Sequence, residues 1–307
     1  GNSHGFVGSY SKTSHSITCI LLADQDGVMQ RDYHYTAARC AADMQDAAEV
    51  GRIAAGKTVG RLGARKIKTT RAPVLYVPEL ARGFIGHAIS AIAGGALYRK
   101  ASFLLDAVGE KLFPDFVDIL ERPHIARGMA SAPYDSEGVA TYDREVVTGG
   151  VLQGYILASY SARRLGLQTT ANAGGAQNLL VPGGGKDQAE LVRDMGTGLV
   201  VTELIGQGVN GVTGDYSRGA VGYWVENGEL KHKKAKEHAG RDASVPADAI
   251  LINRTSLNDN DAGGRVQYAN FAKSTQMLEK LRHMDEETYR KLLALDRDFQ
   301  TGGEIYR

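Results

Sequence analysis

The order of hydrophobic and polar residues predicts two neighbouring strands near the middle of the chain, joined by a glycine-rich segment. Gly198–Leu204 is rich in β-branched residues, and Ala220–Glu226 is a second strand that ends at the tight-turn pair Asn227-Gly228. Glycines at 206, 208, 211 and 214 interrupt the connection. We expect it to be a loop that presents a recognition surface, or else a plain hairpin connection with a solvated tip. Its polar side chains are Asp215, Tyr216, Ser217 and Arg218.

The first part of the chain predicts a β-hairpin and several helices. Ser16–Leu22 and Met29–Tyr35 form the predicted hairpin, and the alanine-rich segment Ala37–Ala55 follows as a helix. Two further helices are predicted at Glu79–Ala91 and Leu97–Gly109. Extended segments at 66–68, 74–77, 112–120 and 149–160, and a helix at 187–195, complete the prediction up to residue 230.

The character of the sequence changes after Leu230. A basic, polar run follows, and apolar residues then recur at helical spacing over Phe271–Phe299, which predicts one or two helices. We therefore predict one domain over residues 1–230, a linker or exposed loop over 231–248 and a mainly helical tail over 249–307.

Composition narrows the classes of function. Acidic and basic residues nearly balance over the 307 residues, with a net charge of +1, which gives no basis for a nucleic-acid or anionic-membrane partner. No apolar run approaches the ~20 residues that span a bilayer, and no signal peptide is visible, so we expect a cytoplasmic location. Cys19 and Cys40 form no CxxC pair, so the sequence contains neither a zinc-ribbon motif nor a CxxC redox motif. The 38 glycines favour a sheet-rich domain.

Few residues have the spacing of catalytic or metal-binding groups. Asp135 and Glu137 lie two residues apart, so in a strand their carboxylates would share one face and could serve acid–base catalysis or bind a cation. The alternative is a turn stabilised by an aspartate and a glycine. The eight histidines contain no HExxH or HExxxH pair, and His87 stands alone among small and apolar residues. A packed, hydrogen-bonded histidine is its expected role.

Several motifs of this chain, in order, resemble those of one protein family, TldD/PmbA, in its PmbA (TldE) branch. The segment 195–230 resembles the C-terminal signature of that family, and Gly1–Phe6 resembles the segment that opens its C-terminal domain. The resemblance covers roughly residues 1–230, whereas residues 231–307 resemble nothing in the family. The other matching motifs are GFIGHA at 83–88, GGALYRK at 94–100, ASAPYDSEG at 130–138, SYSARR at 159–164 and NAGG at 172–175.

The resemblance implies a division of labour between two kinds of subunit. The TldD branch resembles a zinc metallopeptidase. The histidines of an HExxxH helix and a downstream cysteine bind the zinc ion, and the glutamate acts as a base. Here the corresponding helix has only His87, and the segment Ala173–Asn178 has no cysteine. The chain therefore resembles the non-catalytic partner. We expect no cofactor in this chain, zinc in a TldD-like partner subunit, and no catalysis by this chain alone.

The fold implied is α+β, a curved and largely antiparallel sheet with helices packed on it. The leading hypothesis is a cytoplasmic heterodimer of TldD–TldE type that matures or degrades peptides, in which this subunit positions unfolded peptide at a sheet edge. The residues expected on the peptide or partner surface are Asp135, Glu137, Gly174, Gly175, Glu203, Gln207, Asp215 and Arg218.

Two alternatives stand beside this hypothesis. The chain could be a degenerate peptide-binding or scaffold module without a protease partner. It could also be an active metallopeptidase with unusual ligands, such as His87 together with Asp135 or Glu137.

Overall fold

The computed structural model describes residues 1–65, 67 and 70–231, together with the backbone of three later strands. The predicted α+β class is confirmed. The strands are β1 His15–Gln25, β2 Val28–Ala38, β3 Thr70–Tyr76, β4 Ile119–Glu121, β5 Arg144–Thr148, β6 Val151–Leu152, β7 Leu179–Leu180, β8 Gly198–Ile205, β9 Val209–Asn210, β10 Asp215–Glu226, β11 Glu229–Leu230, β12 Ala249–Ser256, β13 Val266–Tyr268 and β14 Asp296–Thr301. The helices are α1 Ala47–Gly60, α2 Pro78–Ala91, α3 Gly94–Tyr98, α4 Ser159–Leu165 and α5 Gln188–Met195.

The first unit is a long hairpin with one helix packed against it. Strands β1 and β2 pair antiparallel along their whole length, and α1 contacts both. The turn between the strands uses Asp26 and Gly27, both with positive φ, which a tight hairpin requires. The predicted helix Ala37–Ala55 was placed too early, because β2 continues to Ala38 and the carboxylate of Asp46 caps α1 by accepting from two backbone N–H groups.

The largest sheet is mixed but mainly antiparallel, as predicted. β8 pairs antiparallel with β10 and parallel with β3, and the short strands β9 and β11 pair with β10. The backbones of β12, β13 and β14 connect β10 to β3, so the order of pairing closes the sheet on itself. The predicted Asn227-Gly228 turn is confirmed, since both residues have positive φ between β10 and β11.

Helices α2 and α5 match the prediction, whereas the helix predicted over Leu97–Gly109 does not form beyond Tyr98. Lys100 and Asp106 have positive φ, which an α-helix does not allow. Tertiary hydrogen bonds hold the irregular segment instead, including one from the backbone N–H of Ala107 to the hydroxyl of Tyr155. Of the apolar residues that suggested a helix, Leu97, Leu104 and Ala107 are buried, whereas Leu105 and Val108 are exposed.

A second, smaller sheet has the order β6-β5-β4-β7. The extended segments predicted at 112–120 and 149–160 contribute only short strands to it, at 119–121 and 151–152. One hydrophobic cluster, which includes Ile119, Val146 and Leu152, packs around this sheet. A separate cluster, which includes Leu75, Leu199 and Val225, fills the space between the large sheet and helices α2 and α5.

The predicted tail helices lie mostly outside the described residues. Within Phe271–Phe299 only the last four residues are described, and they belong to strand β14. The end of the predicted helix is therefore wrong, because these residues pair with β3. The proposed linker 231–248 is described only at Lys231.

Candidate functional site

Asp135 and Glu137 lie in a turn, and their carboxylates hold the backbone. Asp135 Oδ1 accepts from the N–H groups of Glu137 and Val139, at 2.9 and 3.0 Å, and its Oδ2 accepts from Ala173 N–H at 3.0 Å. Glu137 Oε2 accepts from Ser159 N–H, at 2.8 Å, where α4 begins. The turn alternative is therefore correct, and the shared strand face is wrong.

Gly174 and Gly175, two of the predicted surface residues, lie beside this turn. Both have strongly positive φ, +95° and +113°, which favours glycine. A Cβ on Gly174 would lie 2.5 Å from Ser136 Oγ, so the two loops approach closely. The N-terminal residues complete this region, because Asn2 Nδ2 donates to the carbonyl of Glu137 at 2.8 Å.

A buried polar network that the sequence did not reveal supports the same loops. Glu121 is 1% exposed and its carboxylate forms an ion pair with Arg144 at 2.7 Å. Its other oxygen accepts from Asn172 Nδ2 at 2.8 Å and from Gln177 N–H at 2.6 Å. Arg144 also donates to Asn172 Oδ1 at 3.0 Å. No local motif signals this network, since its members come from three separate segments.

The predicted loop from Gly206 to Arg218 is shorter than expected, because Asp215–Arg218 form the start of β10. Ser217 N–H donates to the carbonyl oxygen of Gly208 at 2.6 Å. A Cβ on Gly208 would lie only 1.6 Å from the carbonyl oxygen of Ser217, so this position requires glycine. Gln207 accepts a hydrogen bond at its carbonyl from Val209. The connection is thus a tight, glycine-dependent turn and not an open loop.

The side chain of Asp215 bonds within its own turn. Its Oδ2 accepts from the hydroxyl of Thr213 at 2.7 Å, and its Oδ1 is buried without a hydrogen-bond partner in the described part of the chain.

Glu203, another predicted surface residue, joins the hairpin unit to the large sheet. Its carboxylate on β8 forms an ion pair with Arg61, which is 7% exposed and directly follows α1. Arg61 also contacts Asp32 of β2 at 3.3 Å and donates to the carbonyl of Arg31 at 2.6 Å. Burial and the charge of Asp32 raise the pKa of the neighbouring Tyr223 to about 12, while Arg61 opposes the shift. The role of Glu203 in this contact is structural.

A third group of side chains lies where α2 packs on β10, and we call it the aromatic cluster: Tyr76, Phe84, His87, Tyr216 and Arg218. The ring of Phe84 lies 4.8 Å from Tyr76 and 5.1 Å from Tyr216, between ring centroids. His87 meets Tyr216 edge-on at 5.8 Å, and the guanidinium of Arg218 lies 6.0 Å from the centre of the Tyr216 ring.

The half-buried His87 has a cationic neighbour. Burial lowers the pKa of His87, and the positive charge of Arg218 lowers it further. The expected packing of His87 is confirmed through its contact with Tyr216. Among the described residues, no three His, Cys, Asp or Glu side chains converge in a way that could hold a metal ion.

Two family models match the chain. The model described as the PmbA/TldA metallopeptidase central domain matches residues 1–62, and the one described as the PmbA/TldA metallopeptidase C-terminal domain matches residues 69–236. The two matches meet within the stretch that we treated as one domain, and they divide it between the hairpin unit and the two sheets. The predicted division of the whole chain, including its tail, stays a prediction.

Curated relatives carry names from the same family. The chain is 49% identical over 232 residues to "Metalloprotease PmbA" of Escherichia coli O157:H7 and 48% identical over 237 residues to "Metalloprotease PmbA homolog" of Haemophilus influenzae. These matches cover 76% and 77% of this chain and 52% of each relative. The chain therefore spans about half the length of these curated relatives.

Solved structures agree on the fold. A crystal structure from Bacteroides thetaiotaomicron, described as a candidate modulator of DNA gyrase, has a TM-score of 0.71 at 27% identity and covers 82% of this chain and 55% of that one. The structure of TldE from Thermococcus kodakarensis has a TM-score of 0.62 at 16% identity, covers 79% of this chain and 61% of that one, and supports the fold alone. Within the described residues, no helix is both long and apolar enough to cross a bilayer.

Proposed function

Because the chain belongs to the TldD/PmbA metallopeptidase family, whose central and C-terminal domains it matches, we propose that it is a PmbA-type subunit without a catalytic zinc ion. It works with a TldD-like, zinc-binding subunit in a cytoplasmic heterodimer. The pair cleaves unfolded peptides, either to mature peptide precursors or to degrade them. The whole activity then depends on the partner for the metal and on this chain for part of the peptide-binding surface.

The observation that carries this proposal is the environment of His87 on α2. A zinc ion requires several neutral or anionic ligands at about 2.0–2.3 Å. Among the described residues, the only charged group that shifts the pKa of His87 is the cationic Arg218, and a nearby cation opposes the approach of a divalent metal. Zinc does not fit this arrangement of described residues.

The carboxylates of Asp135 and Glu137, the other candidate metal ligands, already accept hydrogen bonds from backbone N–H groups. Asp135 accepts three backbone hydrogen bonds and is 5% exposed, and Glu137 accepts one at the start of α4. Moving either carboxylate to a metal would leave those N–H groups without a partner, which costs about 1–3 kcal/mol for each. This argues against the alternative of an active metallopeptidase with unusual ligands.

A peptide needs an unpaired strand edge to bind by backbone pairing. Among the described strands, β1 and β2 pair only with each other, so each presents an outer edge over 11 residues. The edge of β1 has no charged side chain from Ser16 to Ala23, and charged residues are a common protection against pairing with other strands. This edge is where we place the unfolded peptide.

The test is co-expression of this chain with a TldD-like subunit that has an intact HExxxH helix. We expect the two to co-purify, and the complex to cleave an unstructured peptide in a reaction that a chelator stops. Either subunit alone should be at least 100-fold slower. Peptide cleavage by this chain alone, insensitive to chelator, would overturn the proposal. Peptide binding without co-purification would favour the scaffold module.

A further inference from the structure

We propose that an exposed surface of helices α3 and α4 binds an acidic stretch of the peptide substrate. We call this surface the basic patch, and its residues are Tyr98, Arg99, Lys100, Tyr160, Arg163 and Arg164. They belong to the motifs GGALYRK at 94–100 and SYSARR at 159–164, which the proposed function does not otherwise use. The inference rests on that function, because it takes the ligand to be a peptide.

The packing of α3 against α4 brings the two motifs together. The two helices are in contact, and a Cβ on Gly94 would collide with the side chain of Ser161, so this close approach requires glycine at that position. The rings of Tyr98 and Tyr160 meet edge-on, with their centroids 5.7 Å apart. The end of α3 and the first turn of α4 therefore form one continuous surface.

The cationic side chains lie around these two rings. The guanidinium of Arg99 lies 5.3 Å from the centre of the Tyr98 ring, and its Nη1 donates to the Tyr98 hydroxyl at 3.2 Å. Arg163 and Arg164 come three and four residues after Tyr160, so they lie on the same side of α4 as that ring. Both motifs thus contribute positive charge to the same surface.

The positive charges of the basic patch are not balanced by acidic side chains. Its four cationic side chains are all exposed: Arg99, Lys100, Arg163 and Arg164. Among the described residues, no carboxylate forms an ion pair with any of them. The carboxylate of Glu137, which lies at the start of α4, accepts from the N–H of Ser159 instead.

The helix end of α4 compensates only part of this charge. The C-terminal end of a helix carries about half a negative charge, which favours cations in its last turn. Arg163 and Arg164 place two full positive charges there, and Arg99 and Lys100 add two more beside the neighbouring helix. Carboxylates bound at this surface would relieve the repulsion between these cations.

A short acidic peptide fits the size and the chemistry of the basic patch. Helix α4 has seven residues, so at about 1.5 Å per residue it is roughly 10 Å long. An extended peptide rises about 3.3 Å per residue and crosses this length with three or four residues. Each guanidinium can bind a carboxylate through two parallel N–H groups, and the ring of Tyr160, which is 55% exposed, offers apolar contact area beside them.

Two larger kinds of partner fit less well. A stable protein–protein interface involves about 20–30 residues on each side, far more than the six side chains of the basic patch. Nucleic-acid-binding domains carry a clear excess of positive charge, whereas the net charge of this chain is only +1. The observations therefore favour a short acidic stretch of peptide.

The first experiment compares two fluorescent peptides that differ only in charge. One has three consecutive glutamates, the other has glutamines at those positions, and binding to the 307-residue chain is measured by anisotropy at ~0.02 M and ~0.15 M salt. We expect the glutamate peptide to bind several-fold more tightly, with a preference that decreases as salt increases. Equal binding of the two peptides would overturn the basic patch and leave the proposed function standing.

The second experiment uses variants of the basic patch. Arg163→Gln/Arg164→Gln should weaken binding of the glutamate peptide by roughly three- to tenfold, as expected for two exposed ion pairs, and should not affect the glutamine peptide. Arg99→Gln/Lys100→Gln tests the other helix, so the result does not depend on the folding of one variant. Melting temperatures are measured for each protein.

Two further variants are the controls. Lys12→Gln/Arg193→Gln removes two exposed cations elsewhere, changes the net charge equally and should retain the preference for glutamate. Arg163→Lys/Arg164→Lys keeps the charge on α4 and should also retain it. A loss of the same size in Lys12→Gln/Arg193→Gln as in Arg163→Gln/Arg164→Gln would overturn the basic patch, because it would reflect net charge alone.

The remaining outcomes separate the ligand from other partners. If the patch variants no longer co-purify with the TldD-like subunit but bind peptide normally, the surface is a subunit contact and the proposal is overturned. A single-stranded oligonucleotide that binds more tightly than the glutamate peptide, and is lost in the same variants, would also overturn it. Patch-dependent binding of the glutamate peptide, with no cleavage of either peptide by the two-subunit complex, would keep the basic patch and reject the proposed function.

Discussion

Arg61 and Glu203 form an ion pair that joins the hairpin unit to the large sheet. Arg61 directly follows α1, in the part of the chain that matches the central-domain model, whereas Glu203 lies on β8 within the C-terminal match. The arginine side chain is 8% exposed and the glutamate side chain 36% exposed, so this contact is partly desolvated. Removal of one partner from such a contact is therefore more destabilising than the loss of an ordinary surface ion pair, because it leaves a partly desolvated charge without its counter-charge.

The first prediction concerns that contact. Arg61→Met removes the pairs with both Glu203 and Asp32 and should lower the free energy of unfolding by about 2–3 kcal/mol, because it leaves two carboxylates without their partner. Hydrogen exchange should accelerate in β1 and β2 more than in β4 and β5. The control Arg52→Met breaks an exposed pair with Glu49 on α1 and should cost below about 1 kcal/mol. Equal effects of the two variants would contradict the prediction.

The second prediction concerns the buried pair of Glu121 and Arg144. Glu121→Gln keeps the shape of the side chain but leaves the charge of Arg144, whose side chain is 10% exposed, without its counter-charge. We expect the free energy of unfolding, measured in urea, to fall by about 3–5 kcal/mol. Glu145→Gln is the matched control, because Glu145 forms an ion pair with Arg122 and its side chain is 49% exposed. This substitution should lower the free energy of unfolding by only about 0–1 kcal/mol.

The third prediction separates structure from chemistry at Asp135. Asp135→Asn places an amide NH₂ or a single oxygen against three backbone N–H groups, so at least one of them loses its acceptor. The free energy of unfolding should fall by about 1–3 kcal/mol. Glu137 accepts only one such hydrogen bond, so Glu137→Gln should lower the free energy of unfolding by less. A loss of peptide processing at unchanged stability would instead assign Asp135 to the reaction.

Local signals explain which elements the sequence could predict. Helix α5 has a capping box, with Asp187 and Glu190 each accepting from the other's backbone N–H. Helix α2 starts with a proline at its first position, and the turn at Asn227-Gly228 has the residues that positive φ favours. Each of these signals lies within a few residues of the structure it specifies.

Long-range contacts explain what the sequence could not predict. The start of β10 has the polar composition of a loop, yet Asp215 and Tyr216 pair with Asn210 and Val209. Glu121 and Arg144 have no motif in common, and only the pairing of β4 with β5 brings them together. His87 likewise meets Tyr216 and Arg218 because α2 packs on β10, which no spacing within either segment reveals.

The fourth prediction is that the purified chain retains no stoichiometric zinc after dialysis. It follows from the absence of an HExxxH pair in the sequence and from the cationic neighbour of His87. Elemental analysis of the chain should find well below one zinc ion per molecule, whereas a TldD-like subunit purified in parallel should keep its metal. One equivalent of zinc that disappears in His87→Ala would show that this histidine is a ligand.

The fifth prediction is a pH dependence that arises from His87. Burial and then the charge of Arg218 lower the pKa of the folded protein's imidazole below its ordinary value of 6.5, so the unfolded chain binds the proton more tightly. The contribution of the neutral ring to stability is fully present above the unfolded pKa, and it is lost as the pH falls through that value toward the folded pKa. The groups that face the ring are Tyr216 and Arg218 of β10.

Two variants measure this dependence. The free energy of unfolding is measured in urea at about pH 7.5 and about pH 5, on either side of the ordinary histidine pKa of about 6.5. It should decrease as the pH falls, and the decrease should be steeper for the unmodified chain than for His87→Gln. Arg218→Met should give an intermediate slope, because it removes the repulsion by the guanidinium but leaves the burial of the ring. Parallel curves for all three proteins would mean that His87 titrates alike in the folded and unfolded chain. A steeper fall in Arg218→Met would mean that the arginine stabilises the protonated ring, contrary to the charge arrangement described for this cluster.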